Sequence, residues 1–124
     1  YYMSPEQCTN SSVDWKSDLY SLACVIYETL SGERPFNGNS FVEIANAKLN
    51  KKAESLCQKF PQKQIPAALD KTILKALELQ PEKRQADLSE FRQQLAKVLE
   101  AESEKSQGVL SYIRGFLNKK EERN

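Results

Sequence analysis

The sequence contains no histidine among its 124 residues. Histidine is the commonest general base and a frequent zinc ligand, so its absence excludes Ser–His and Cys–His nucleophile systems and most zinc sites. The cysteines Cys8, Cys24 and Cys57 are odd in number and far apart, which excludes a CxxC motif and a fully paired disulfide framework. Unpaired cysteines are typical of a reducing compartment, so the sequence predicts a cytoplasmic protein with buried structural thiols.

Long apolar runs and a strong net charge are also missing. No stretch approaches the roughly 18–20 apolar residues that cross a bilayer, and the mean hydropathy is −0.64. The 18 basic and 17 acidic residues leave a net charge of +1. This is far from the basic field that dominates non-specific nucleic-acid binding, so we expect no nucleic-acid partner. Because the chain opens on Tyr1 and Tyr2 with methionine third, we expect it to begin in the middle of a longer protein.

Residues that break helices are scarce, with four glycines and five prolines. The many Leu, Ala, Glu, Lys and Gln residues favour helices, and no stretch shows a sustained two-residue alternation, so the sequence predicts an all-α fold. The most apolar candidate is a helix over Ser17–Ser31 that ends at Gly32. It is apolar around most of its circumference, which is typical of a central helix buried on several sides.

Four further helices are predicted from capping residues and helical periodicity. The helix that follows Ser40 places Phe41 on its inner face, together with Ile44, Ala45 and Leu49. The polar stretch over residues 50–64 predicts a long exposed connection. The predicted starting points are Ser40, the residue after Pro66, Asp87 and the residue after Gly108.

Four short motifs occur in a fixed order along residues 1–99. Residues 2–7 read Tyr-Met-Ser-Pro-Glu-Gln, and residues 17–22 read Ser-Asp-Leu-Tyr-Ser-Leu. Residues 27–36 read Tyr-Glu-Thr-Leu-Ser-Gly-Glu-Arg-Pro-Phe, and residues 74–84 contain Leu-Lys-Ala-Leu and then Gln-Pro-Glu-Lys-Arg. In order, they resemble the end of the activation segment, the two ends of the central helix and the closing signature of protein kinases. The wording is most similar to bacterial-type serine/threonine kinases.

The resemblance implies a partial protein-kinase-like fold, namely the rear half of the large helical lobe. Residues 1–100 would be the C-terminal segment of the catalytic domain, and residues 101–124 a charged linker and an amphipathic C-terminal helix. The first part of the tail reads either as a linker or as an extension of the preceding helix. The end of the tail is modestly basic. It would bind a membrane surface or a partner protein; the alternative is that it packs back on the lobe or makes no contact with it.

The resemblance also implies that Glu6 and Arg84 form a structural ion pair. The residues alone leave a second interpretation open, in which Glu6 is an early acidic residue in a short helix that starts after Ser4. A buried carboxylate needs a partner, because an isolated buried charge is very costly.

Two more expectations come from the family. The residue matching Asp18 accepts hydrogen bonds from the catalytic loop and is structural, whereas the residues alone indicate only a favourable charge in the first turn of a helix. Tyr2 and Met3 match positions that border the pocket for the substrate residue after the phosphoacceptor. The alternative for these two residues is a frayed terminus.

The sequence motifs whose residues perform phosphoryl transfer in this family do not occur here. They are a glycine-rich loop, a strand lysine, a catalytic-loop aspartate and asparagine, and Asp-Phe-Gly. We therefore predict no catalytic, cofactor-binding or metal-binding residue here, and we assign ATP and Mg²⁺ to an intact parent kinase.

The resulting hypothesis is a fragment of a serine/threonine kinase that is inactive alone, with the upstream kinase segment and the parent's protein substrate as partners. Self-association through exposed apolar faces is also expected. The alternative is a stand-alone, kinase-derived helical interaction module without catalysis, which the upstream coding sequence would distinguish.

Overall fold

A computed structural model describes residues 1–9 and 11–122. Within those residues there is no strand, and two short 3₁₀ turns occur at Pro61–Lys63 and Pro81–Lys83. The prediction of an all-α fold is therefore confirmed. The helices are α1 (Pro5–Cys8), α2 (Trp15–Ser31), α3 (Phe41–Asn50), α4 (Leu56–Lys59), α5 (Ala67–Ala76) and α6 (Leu88–Glu122).

Helix α2 is the centre of the fold and begins two residues before the predicted start. Asp14 caps it, since its carboxylate accepts a hydrogen bond from the Lys16 backbone N–H at 2.9 Å. At the other end, Gly32 adopts φ 80° and donates its N–H to the Glu28 carbonyl. Glycine reaches this left-handed conformation without steric cost, so the predicted C-terminal cap is confirmed.

The hydrophobic core lies between α2, α5 and the first turns of α6. Helix α2 packs against α5, and α5 packs against α6. Only part of the α2 surface is covered, however, because the side chains of Leu22 and Val25 are 45% and 46% exposed. The helix is thus buried on several sides, as expected, but not on this face. The core residues include Leu19, Tyr20, Ala23, Tyr27, Leu56, Phe60, Ile73, Ala76 and Phe91.

The connection over residues 50–64 is not simply an exposed loop. It contains α4, and the side chains of Leu56 and Phe60 are buried in the core. Asp70 of α5 holds the start of α4: its carboxylate accepts hydrogen bonds from the Leu56 N–H at 2.8 Å and the Ser55 hydroxyl at 2.5 Å. Two apolar anchors and one buried carboxylate order a segment whose average composition predicts a loop.

Helix α3 starts as predicted but buries a different face. The Ser40 hydroxyl accepts a hydrogen bond from the Glu43 N–H, as its capping motif predicts. Phe41 is 59% exposed, so its assignment to the inner face is wrong, and Ala47 and Lys48 are buried instead. A position at the first turn of a helix need not face the packing partner of the later turns.

Helix α6 joins two helices that the sequence predicts separately. It starts after Asp87, whose carboxylate accepts the Glu90 N–H at 2.7 Å, and continues without a break to Glu122. The first part of the tail is therefore a helix extension, while the division of the chain at residue 100 stays a prediction. Most of the described side chains beyond Glu100 are exposed. Those of Val109, Leu110 and Phe116, in the predicted amphipathic C-terminal helix, lie outside the described residues.

None of the helices in the described part of the chain combines the length and apolar character needed to span a membrane.

Candidate functional site

The candidate site is the N-terminal strip, residues 1–3, together with the buried group that anchors it. Ser4 follows the strip and caps α1: its hydroxyl accepts the Gln7 N–H, and the Gln7 side chain accepts the Ser4 N–H at 2.8 Å. This reciprocal pair is a capping box, and Pro5 suits the first helical position. The local sequence thus sets the point where the extended strip turns into α1.

Arg84 anchors α1 to the end of the helical core. Its two terminal nitrogens donate to the two carboxylate oxygens of Glu6, at 2.8 and 2.9 Å. The other three N–H groups donate to backbone carbonyls of Lys16 (2.9 Å), Glu78 (2.9 Å) and Leu79 (3.3 Å). All five donors of the guanidinium are therefore satisfied, as a buried arginine requires.

The Glu6 carboxylate is equally well matched. It accepts a further hydrogen bond from the Ser17 hydroxyl at 2.8 Å, and the Arg84 guanidinium lies over the Tyr20 ring at 4.8 Å. Burial raises the pKa of Glu6, but the hydrogen bonds from Arg84, the backbone and Ser17 outweigh it and lower the pKa from 4.5 to about 2. The structure therefore brings the two expected residues together as a buried, bidentate ion pair.

The strip itself is held by α2 and α3. The Tyr2 hydroxyl donates to the Glu28 carboxylate at 2.5 Å, and the Ser21 hydroxyl donates to the Tyr2 carbonyl at 2.6 Å. The Lys48 ammonium donates to the Met3 carbonyl at 2.6 Å. Each of these contacts joins the strip to a helix of the fold.

Tyr2 and Met3 keep part of their side chains accessible. They are 38% and 40% exposed, while their backbone carbonyls are engaged. A fixed backbone with open side chains can line a contact surface for another polypeptide. That these residues border a substrate pocket stays a prediction.

Sequence reasoning did not identify Lys48 and Arg34 as parts of this site. Lys48 is only 2% exposed, and burial lowers the pKa of its ammonium group. Lys48 lies four residues after Ile44 and therefore on the same face of α3, so helical spacing could have indicated its partial burial. The Arg34 guanidinium lies 3.5 Å from the centre of the Tyr1 ring, and nothing in the sequence pairs these two residues.

Asp18 is exposed in the first turn of α2, and its carboxylate accepts no hydrogen bond from the described side chains or from the backbone. Leu22 and Val25 follow at helical spacing and are also exposed. We call these three residues the open face of α2. The face combines one solvent-exposed carboxylate with apolar surface.

The four glycines lie at separate places in the fold. Gly32 ends α2, Gly108 and Gly115 lie inside α6, and Gly38 packs so closely on α3 that an added Cβ would lie 2.7 Å from the Glu43 Cβ. The glycines therefore form no phosphate-binding loop. In the described part of the chain, no cluster of three or more cysteine, aspartate or glutamate side chains could hold a metal ion.

The class of protein follows from the fold, the ion pair and comparison with known families. The sequence profile described as "Protein kinase domain" matches residues 1–114, so this chain belongs to the protein kinase family. Within that family it is a piece of a bacterial-type serine/threonine kinase, specifically the rear, all-α part of the large lobe.

Particular relatives agree with this class. The chain is 41% identical over 97 residues to serine/threonine-protein kinase PknB of Mycobacterium tuberculosis, covering 78% of this chain and 15% of that protein. It is 34% identical over 97 residues to serine/threonine-protein kinase pkn3 of Myxococcus xanthus, covering 78% and 18%. It is also 38% identical over 98 residues to a probable serine/threonine-protein kinase, CPE1738, of Clostridium perfringens, covering 79% and 14%. The chain thus spans less than a fifth of the length of these relatives.

Proposed function

We propose that this chain is the rear part of an ATP-dependent serine/threonine kinase and does not transfer phosphate by itself. In the intact parent, ATP and Mg²⁺ are bound by the upstream segment, and the phosphoryl group passes to a hydroxyl of a protein substrate. The observation that carries the proposal is the buried pair of Glu6 and Arg84, which fixes the strip to the helical core. A fixed strip beside an active centre positions a substrate chain without taking part in the chemistry.

The open face of α2 supports a role for the upstream segment as a partner. Exposed leucine and valine side chains that lie together are stabilised when another protein surface covers them, and a carboxylate beside them can accept hydrogen bonds from that surface. Asp18 has its acceptor oxygens free, and Leu22 and Val25 supply the apolar surface. We propose that the upstream segment covers this face and donates hydrogen bonds to Asp18. Without that segment, the same face would promote self-association, which sedimentation at several concentrations measures.

The experiment is complementation with two separate polypeptides. The first is this chain, and the second is the upstream part of the kinase domain of the Mycobacterium tuberculosis relative, ending before Ser-Pro-Glu. Phosphate transfer from radiolabelled ATP to a generic protein substrate is measured for each polypeptide and for the mixture. We expect no transfer by this chain alone and measurable transfer by the mixture.

The matched control uses two isosteric substitutions of exposed acids. Asp18→Asn removes the charge at the open face and should abolish the activity of the mixture, whereas Glu82→Gln, in the Pro81–Lys83 turn, should leave it intact. Transfer by this chain alone, or saturable binding of Mg-ATP to it, would overturn the proposal. A mixture that stays inactive although both polypeptides are folded would favour the stand-alone interaction module.

A further inference from the structure

A cavity of about 450 Å³ lies between the C-terminal end of α3 and the connection from α5 to α6. None of residues 1–3 lines it, so it is separate from the N-terminal strip. Its size is within the range of roughly 300–1,000 Å³ that is usual for ligand-binding clefts. The lining residues come from two segments, 49–53 and 74–83.

The rim of this cavity is basic. Lys51, Lys52 and Lys83 line it and are exposed, and none of them forms an ion pair with another residue that the structure describes. Glu78 is the one acidic residue in the lining. Three unpaired ammonium groups around one cleft raise the local concentration of anionic ligands.

The floor of the cavity is apolar. Leu77 is buried, Leu74 is half-buried and Leu79 is 42% exposed. A second cavity of about 500 Å³ adjoins the first and shares Lys52, Ala53 and Leu74 with it. The two together form a groove, which we call the lysine groove. The second cavity adds Glu54 and Lys59, which form an ion pair with each other at 3.8 Å, so Lys51, Lys52 and Lys83 are the lysines of the groove without an ion pair among the described residues.

We propose that the lysine groove binds an acidic peptide segment that carries one large apolar side chain. The leucine floor provides a place for the apolar side chain, and the three lysines are complementary to flanking carboxylates. A simple anion would use the lysines but leave the leucines exposed. An elongated groove also suits an extended peptide better than a compact ion. The proposal does not depend on the kinase activity proposed above.

The test measures peptide binding to the whole 124-residue chain by fluorescence anisotropy. The probe is the labelled peptide Glu-Asp-Phe-Glu-Asp with blocked ends, and the matched peptide is Gln-Asn-Phe-Gln-Asn. We expect the acidic peptide to bind about tenfold more tightly at low salt, as several exposed charge pairs allow. The preference should disappear near 1 M salt, where the Debye length is about 3 Å.

Two triple variants locate the binding site. Lys51→Gln, Lys52→Gln and Lys83→Gln together remove the rim, whereas Lys63→Gln, Lys71→Gln and Lys97→Gln remove three exposed lysines that do not line the groove. Both variants change the net charge equally. Only the first should weaken binding of the acidic peptide about tenfold.

The apolar half of the proposal has its own variants. Leu79→Asn should weaken binding of the acidic peptide several-fold, and so should replacing the phenylalanine of the peptide by alanine. The proposal is overturned if the neutral peptide binds as tightly, or if both triple variants lose binding equally. Two results together would also overturn it. They are binding of inorganic pyrophosphate that requires the same three lysines, and undiminished binding of the acidic peptide with alanine in place of phenylalanine. The groove would then bind anions without regard to an apolar side chain.

Discussion

The two faces of α2 have similar apolar residues and different environments. On one face Leu19, Tyr20 and Ala23 are at most 1% exposed and pack into the core. On the other face Leu22 and Val25 are nearly half exposed, and Asp18 at their head has no hydrogen-bond donor among the described residues. One helix is therefore both the centre of the present fold and an open surface.

The difference shows what helical periodicity can and cannot indicate. An apolar residue at helical spacing indicates a surface that is stabilised by burial, but not which segment buries it. For Leu19 the covering groups come from α5 and its neighbours, which this chain supplies. For Leu22 we propose that the covering groups come from the upstream segment of the parent kinase.

The largest expected effect is the loss of one partner of the buried ion pair. Glu6→Gln or Arg84→Gln leaves a desolvated charge without its partner, so each should lower the free energy of unfolding by about 3–5 kcal/mol. This would be a large share of the roughly 5–15 kcal/mol that stabilises a typical domain. Urea denaturation of the single and double variants measures it.

Two results would contradict this account of the pair. Single losses below about 0.5 kcal/mol that simply add in the double variant would mean that the residues are not coupled. Arg84→Lys is the conservative control and should also destabilise, because lysine cannot make the planar, two-pronged contact with Glu6 or fill the three carbonyl contacts. Full stability of that variant would exclude a requirement for the guanidinium.

The second prediction compares two leucines on opposite faces of α2. Leu19→Ala should cost about 2–5 kcal/mol, because it leaves a cavity in the core. Leu22→Ala, three residues further along the same helix, should change the free energy of unfolding by less than about 0.5 kcal/mol. Both are measured by urea denaturation. Equal losses would mean that the open face is covered by this chain itself.

The third prediction is a pH dependence that belongs to Glu6. Its pKa falls from 4.5 to about 2 on folding, so the folded state favours the ionised carboxylate. The stabilisation is complete above about pH 4.5 and is lost as the pH falls towards 2. It amounts to on the order of 3 kcal/mol. The difference in urea midpoint between the unchanged chain and Glu6→Gln should therefore shrink over that range, and a constant difference would contradict the assignment.

Much of the fold could be predicted because the signals are local. Ser40 and Asp87 cap helices, Gly32 ends α2, and the apolar spacing in α2 and α5 fits the observed helices. The contact between Glu6 and Arg84 is not local. It was expected from the resemblance of motifs, since nothing in the spacing of residues 78 positions apart indicates contact.

The features that the sequence did not predict have physical reasons. The stretch over residues 50–64 is polar on average, yet Leu56 and Phe60 anchor it in the core. The distant Asp70 also accepts a hydrogen bond from the first backbone N–H of α4, and average composition conceals both effects. Lys48 is a charged residue whose burial depends on the Met3 carbonyl reaching it from the N-terminal strip. The helical spacing places Lys48 on a half-buried face, but it does not indicate the contact with the Met3 carbonyl.

The most direct test of the central claim is binding of the upstream segment to the open face of α2. Titration calorimetry would measure binding of the upstream segment to two double variants. The α2 variant carries Leu22→Glu and Val25→Glu. The control carries Phe41→Glu and Val42→Glu, which change two apolar side chains of α3 that are 59% and 65% exposed. We predict that the α2 variant weakens binding at least about tenfold while its urea midpoint is unchanged, and that the α3 variant binds normally. Equal binding by both variants would contradict the claim that the open face of α2 is the docking surface.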